Sequence, residues 1–195
     1  MTDRAAFFAS VRASLFGGKL TRKQVECLEM ILDECEAHEI GNKAQVAYIL
    51  ATAFHETARF KYLKELGGPA YFRKMYDIKG ARPHVARALG NTQPGDGAKF
   101  YGRGFVQITG RRNMADWSRR LGLDLLKEPD LACEPRIAAR ILVKGSMLGT
   151  FTGKKLPDYV NDQKRDFVRA RRVINGSDRA AMIARYAEKF LAALQ

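Results

Sequence analysis

Ala53-Phe54-His55-Glu56-Thr57, followed closely by Tyr62-Leu63-Lys64-Glu65, is the stretch on which the reading of this chain turns. Behind Asn42, the residues Ala44, Ala47, Tyr48, Ala51 and Phe54 recur at three- and four-residue steps. That is the pattern of a capped helix with one apolar face, and it delivers Glu56 at its C-terminal end. Glu56 and Glu65 are nine residues apart, which on one continuous helix means roughly 180° of rotation and ~13.5 Å of rise. Both can face one cleft only if the helix stops between them. Arg59-Phe60-Lys61-Tyr62, with Gly67-Gly68-Pro69 just beyond, predicts such a stop.

A second stretch, Tyr101-Gly102-Arg103-Gly104-Phe105-Val106-Gln107-Ile108-Thr109, combines glycine-relaxed backbone with hydrogen-bonding side chains. If residues 105–109 are extended, Gln107 and Thr109 share a face, and an amide beside a hydroxyl suits a sugar hydroxyl or a held water. Asn113 follows. The same alternation of Val106 and Ile108 also fits a plain core strand. Gly149 to Lys155 lacks the spacing of a phosphate-binding loop.

The remaining chain reads as helices. Phe7, Phe8, Val11 and Leu15 mark one over residues 4–16, closed by Gly17-Gly18. Thr21 and Gln24 form a capping-box signature ahead of Val25, Leu28, Leu32 and Cys35. Between Gly67 and Phe105 the periodicity fades, leaving short helical pieces at Tyr71-Phe72 and 85–89. Helical pattern returns at 113–121, after Pro135, at 163–173 and at 178–194. The expectation is a mainly α, two-lobed single domain over 1–195, with 1–19 as a helical extension, at most a small β element and no separate wall-binding module.

Lys and Arg outnumber Asp and Glu 34 to 21, a formal +13, which favours anionic partners without choosing among them. The basic residues are spread along the chain, so specific nucleic-acid binding is not expected. Asp3 and Arg12 break up the one stretch resembling a signal peptide, predicting synthesis in the cytoplasm. The cysteines Cys27, Cys35 and Cys133 form no C-x-x-C pair and read as buried thiols. His38, His55 and His84 lack metal-ligand spacing, so no zinc is expected. His55 itself reads as a structural hydrogen-bond donor.

Two carboxyl groups in different environments are the equipment for acid–base cleavage of a glycosidic bond, one giving a proton and the other activating water. On their own, Glu56 and Glu65 are equally compatible with solvated surface charges. The whole set, however, occurs in the order found in the family 19 glycoside hydrolases. It comprises Phe54-His55-Glu56-Thr57, Tyr62 to Glu65, Tyr101 to Thr109 with Asn113, and Ile174-Asn175-Gly176. The chain resembles that family, which contains chitinases and phage endolysins with a lysozyme-like fold, and its compact length is closer to the endolysins. The resemblance implies Glu56 as general acid, Glu65 as general base and Thr109 as the hydroxyl steadying the attacking water. It also implies Gln107, Asn113, Asn175, Tyr101 and Arg103 as substrate-contacting positions. The chain departs from the chitinases in its shorter spacing between the acids, in Phe105 where they carry Pro, and in Ser177 where they carry Gly. Asp77 and Asp96 are the alternative bases. The implied reaction is an inverting hydrolysis with carboxyl groups about 6.5–9.5 Å apart, needing no metal or organic cofactor. The implied partner is the glycan of peptidoglycan, reached by a monomeric enzyme released to the wall or carried in a virion. The basic residues Lys164 to Lys189 are expected to assist contact with an anionic wall or membrane.

Overall fold

The computed structural model describes residues 3–195. Nine α-helices account for most of the ordered backbone among them: α1 (Arg4–Ser14), α2 (Arg22–Ala37), α3 (Lys43–Glu56), α4 (Pro69–Tyr76), α5 (Pro83–Ala88), α6 (Asp96–Lys99), α7 (Arg111–Leu121), α8 (Pro135–Leu148) and α9 (Ala180–Leu194). Short 3-10 turns lie at Pro129–Cys133, Leu156–Asp158 and Arg169–Val173. None of these helices is long and apolar enough to cross a membrane.

The helix starts follow from their first residues. Thr21 accepts from the Gln24 backbone N–H while the Gln24 side chain accepts from Thr21 N, a reciprocal cap that satisfies two otherwise orphaned donors. Asn42 Oδ1 accepts from Ala44 N and Gln45 N at the start of α3. Pro135 opens α8, where a missing N–H costs nothing.

Helix α3 departs from its expected single apolar face. Every residue from Gln45 to Phe54 is buried, because α2, α8 and α9 pack around it. Phe54 is the hub of an aromatic cluster, with Phe16, Phe60, Tyr186 and Phe190 at centroid distances of 5.3, 6.3, 4.8 and 5.8 Å. Helix α1 is part of the same core: Phe7 and Val11 are fully buried, and Phe7 stacks on Phe190.

Two apolar cores give the two lobes. The larger gathers α1, α2, α3, one side of α8, and α9. The smaller is built from Phe100, Ile108, Met114, Trp117, Leu125 and the other side of α8, through Ile137 and Ile141. Helix α8 therefore belongs to both. Among the described residues the β content is three isolated bridges, Lys64 to Arg103, Arg103 to Ile108 and Val160 to Arg165. Cys27 and Cys35 are free, buried thiols, pushed up to about 11 and about 12 by desolvation.

Two expectations are corrected. Residues 163–173 do not form a continuous helix: residue 165 pairs back on Val160, and only Arg169–Val173 coils, as a 3-10 turn. Residues 105–109 are not a strand. Arg103 and Ile108 exchange backbone hydrogen bonds of 3.1 and 2.9 Å around a tight loop in which Gly104 and Gln107 have φ of 78° and 52°.

Candidate active site

Helix α3 ends at Glu56, and the next residues reverse the chain by an unusual device. Ala58, Arg59 and Phe60 all lie in the left-handed region, with φ of 49°, 65° and 63°. Such a run of non-glycine residues costs roughly 1–2 kcal/mol each and persists only where the surroundings hold it. Thr57 supplies much of the hold. Fully buried, its hydroxyl donates to Ala53 O at 2.6 Å and accepts from Phe60 N at 2.8 Å. Phe60 fills the aromatic cluster against Phe54 and Phe105, and Gln24 Nε2 donates to the Arg59 carbonyl. The helix thus stops between the two carboxylates, as required, and does so without a glycine.

Beyond the turn, residues 63–65 run alongside residues 102–104. Glu65 N donates to Gly102 O at 2.9 Å, and Gly104 N donates to Leu63 O at 2.8 Å. This alignment fixes the Glu65 side chain. Its Oε2 accepts from Gly102 N at 3.0 Å and its Oε1 from the Tyr76 hydroxyl at 2.7 Å. Burial, reinforced by the bond to Glu65, pushes the Tyr76 phenol well up, so it stays a donor at any ordinary pH. A Cβ on Gly102 would meet both Gln107 Oε1 (3.0 Å) and Glu65 Oε2 (3.1 Å), so these two oxygens converge over that glycine.

Glu56 is held from the other side of the molecule's sequence. Arg171, only 3% exposed, donates through a terminal guanidinium nitrogen to Glu56 Oε1 and through Nε to the Asp178 carbonyl. Among the described residues Oε2 of Glu56 makes no hydrogen bond, and the side chain is 19% exposed. His55 beside it is half-buried, and desolvation lowers its pKa below 6.5.

Gln107, Thr109 and Asn113 line one recess of about 220 Å³ together with Trp117, Phe151 and Ile174. Thr109 Oγ1 donates to Gln107 O at 2.9 Å, so its lone pairs remain available as acceptors. Gln107 Nε2 donates to Gly104 O and Asn113 Nδ2 to Thr109 O, which leaves both amide oxygens as acceptors. Asn175 is exposed, next to Ile174. The structure therefore gathers Gln107, Thr109 and Asn113 in one recess, and brings Gln107 Oε1 and Glu65 Oε2 to the same side of Gly102.

Tyr101 and Arg103 are placed differently from the expectation. Arg103 is buried, with Nε on Asp130 Oδ1 at 2.7 Å, another donor on Tyr101 O, and its guanidinium 3.8 Å from the Tyr101 ring centroid. Tyr101 stacks its other face on Phe72 at 4.3 Å. These two side chains brace the strip carrying Gly102. The alternative bases are structural as well. Asp77 accepts from Gly95 N and Gly97 N, and Asp96 accepts from Thr92 N and Gln93 N while pairing with Arg111; both are nearly fully buried. Tyr76 and Arg171, which orient the two carboxylates, carry no local signal in the sequence. Arg171 lies within the basic stretch Lys164 to Lys189, yet it is buried against Glu56 and is not one of its surface cations.

The two helical lobes, with Glu56 at the end of α3 and Glu65 on the strip beyond it, define a lysozyme-like fold. Over 99% of this chain and 76% of the other, the fold is like that of chitinase C from Streptomyces griseus HUT6037, with a TM-score of 0.68 at 22% identity. Residues 35–147, more than half of the chain, match the family described as chitinase class I, and the chain belongs to glycoside hydrolase family 19. It is 37% identical over 109 residues to a glycosyl hydrolase family 19 domain-containing protein of Haemophilus influenzae, covering 46% of this chain and 54% of that protein. It is 32% identical over 103 residues to an endochitinase of Arabidopsis thaliana, covering 50% of this chain and 33% of that one. The matched segment thus spans about half or less of these curated relatives.

Proposed function

We propose that this chain hydrolyses β-1,4 glycosidic bonds of bacterial peptidoglycan by an inverting acid–base displacement. The observation carrying this reading is the left-handed turn at 58–60, which places an anchored Glu65 on the strip returning from Glu56. Glu56, held by Arg171 through Oε1, is the proton donor in this reading, delivering a proton from Oε2 to the glycosidic oxygen as the bond to the anomeric carbon breaks. A water loses a proton to Glu65 as its oxygen bonds to that carbon from the opposite face. The Thr109 hydroxyl, already donating to Gln107 O, meets the same water as an acceptor. A water donating to both Glu65 and Thr109 has a lone pair left to aim at carbon.

The formal charge of +13 favours the polyanionic wall over neutral chitin as substrate, and activity on wall should fall as salt rises. Chitin is the second reading, favoured by the chitinases among the relatives. Purified peptidoglycan and chitin oligosaccharides should be offered to the parent chain, to Glu56→Gln and to Glu65→Gln, with products read by mass spectrometry and early anomers by NMR. Inverted product from peptidoglycan, lost in both variants, is expected. Lysis by Glu56→Gln at the parent rate refutes the acid assignment, and turnover confined to chitin refutes the substrate.

A further inference from the structure

The small lobe has a charge distribution that the cleft does not use. Residues 67–112 hold nine Lys and Arg and two Asp. Both Asp residues are buried and bonded internally, so this segment shows water only cations. Three of these, Arg73, Lys74 and Lys79, surround one open cavity of about 480 Å³ at the C-terminal end of α4. All three are exposed, and among the described residues none lies within ion-pairing distance of a carboxylate.

The cavity floor is built tightly. Asp77 Oδ2 accepts from Gly95 N at 2.7 Å and from Gly97 N at 3.3 Å, which ties the 95–97 loop to the end of α4. Ala81 N donates to Lys74 O at 2.9 Å, and Gly80 packs so closely on the Arg73 and Lys74 carbonyls that no Cβ could enter. The Asp77 carboxylate, the one acid in the lining, is turned inward onto these amides, so the rim keeps its positive balance.

Helical geometry separates this cavity from the catalytic strip. Phe72 and Tyr76 lie within about 40° of each other on α4 and face Tyr101 and Glu65, whereas Arg73, Asp77 and Lys74 are turned about 100–200° away from Phe72. We propose that this outer face of α4 is an exosite for the phosphodiester groups of an anionic wall polymer, engaged independently of the cleft. One guanidinium fork beside two ammonium groups matches a tetrahedral oxyanion. The lining contains none of the exposed large apolar residues (Leu66, Tyr71, Leu148, Val168), so nothing there inserts into a bilayer. It also holds no aromatic ring on which a nucleic-acid base would stack.

The test is a binding measurement, so it does not depend on how Glu56 and Glu65 act. Full-length protein and the triple variant Arg73→Gln, Lys74→Gln, Lys79→Gln are titrated with poly(glycerol phosphate), with phosphatidylglycerol vesicles and with duplex DNA. A control of identical net charge, Lys19→Gln, Lys43→Gln, Lys127→Gln, runs alongside, and circular dichroism melts confirm that all three proteins fold. At about fivefold per cation near an anionic partner, the α4 variant should bind poly(glycerol phosphate) roughly 100-fold more weakly. The control should keep most of its affinity, and turnover of a neutral soluble oligosaccharide should be unchanged. Equal losses in variant and control would mean that net charge alone binds the polymer, and would overturn the exosite. Tighter binding to vesicles or DNA than to the polymer, with the same three residues responsible, would overturn the choice of partner.

Discussion

The Tyr76 hydroxyl donates a 2.7 Å hydrogen bond to Glu65 Oε1, linking α4 to the strip that carries the second carboxylate. With Gly102 N on the other oxygen, it sets the rotation of the carboxyl plane. Tyr76→Phe keeps the ring between its neighbours and removes only the donor. It should lower kcat about tenfold with little change in KM or melting temperature, as expected when orientation alone is lost. Steady-state kinetics beside a thermal melt distinguish this from general destabilisation.

Gly102 provides an independent probe of the same geometry. Its φ is not in the left-handed region, so alanine is tolerated by the backbone, yet its Cβ would press on Glu65 Oε2 and Gln107 Oε1. Gly102→Ala should cost at least tenfold in kcat/KM while shifting stability by less than about 1 kcal/mol. A denaturant melt paired with the kinetics checks both halves.

The left-handed turn makes a prediction of opposite sign. Ala58 has φ of 49° and is exposed, so its side chain contributes little beyond strain. Ala58→Gly should raise stability by up to about 1 kcal/mol, the strain relieved exceeding the entropy added to the unfolded chain. Thr57→Val, which removes both hydroxyl bonds from a fully buried site, should lower it by about 2 kcal/mol. Urea unfolding of both variants reads the two directions.

The pairing of Arg171 with Glu56 ties the end of α3 to the 3-10 turn. Arg171→Met should destabilise by about 1–3 kcal/mol, since it frees a partly buried carboxylate and leaves the Asp178 carbonyl without its donor. Glu56→Gln keeps an acceptor for the guanidinium, so it should abolish activity at much smaller cost in stability. Melting curves on the two variants provide the comparison.

His55 gives a pH dependence. Desolvation, only partly offset by Glu56, depresses its folded pKa below the unfolded value near 6.5. In the window from about pH 6.5 down to the folded pKa, the unfolded state therefore binds more protons, and stability falls as pH falls. Replacing His55 with Asn should flatten the melting temperature against pH across that window, as followed by calorimetry.

Much of this architecture was legible in the sequence where local chemistry decides it. Thr21 with Gln24, Asn42 and Pro135 mark helix starts that the structure places within a residue or two. The need for a break after Glu56 could be read from helix geometry, but its form could not. No propensity favours Ala-Arg-Phe in the left-handed region, and the turn exists because Phe60 packs on Phe105 and the Arg59 carbonyl accepts from Gln24, partners distant in sequence that add to the local Thr57 bonds. The alternation of Val106 and Ile108 suggested a strand because period two is also what a tight loop flanked by apolar anchors looks like. Phe167, Val168 and Val173 have helical spacing, yet Val160 captures Arg165 in a bridge before a helix can start. Arg171 lies 115 residues from Glu56, a separation across which spacing carries no information.

Because α3 is enclosed by other helices along nearly its whole length, its terminal carboxylate sits on a post with no room to lean. Differences in what the cleft admits are therefore expected in the segments facing that post, the arm from 62 to 117 together with Phe151 and Ile174. Comparisons aimed at substrate range should look there, and treat the buried post as a fixed datum.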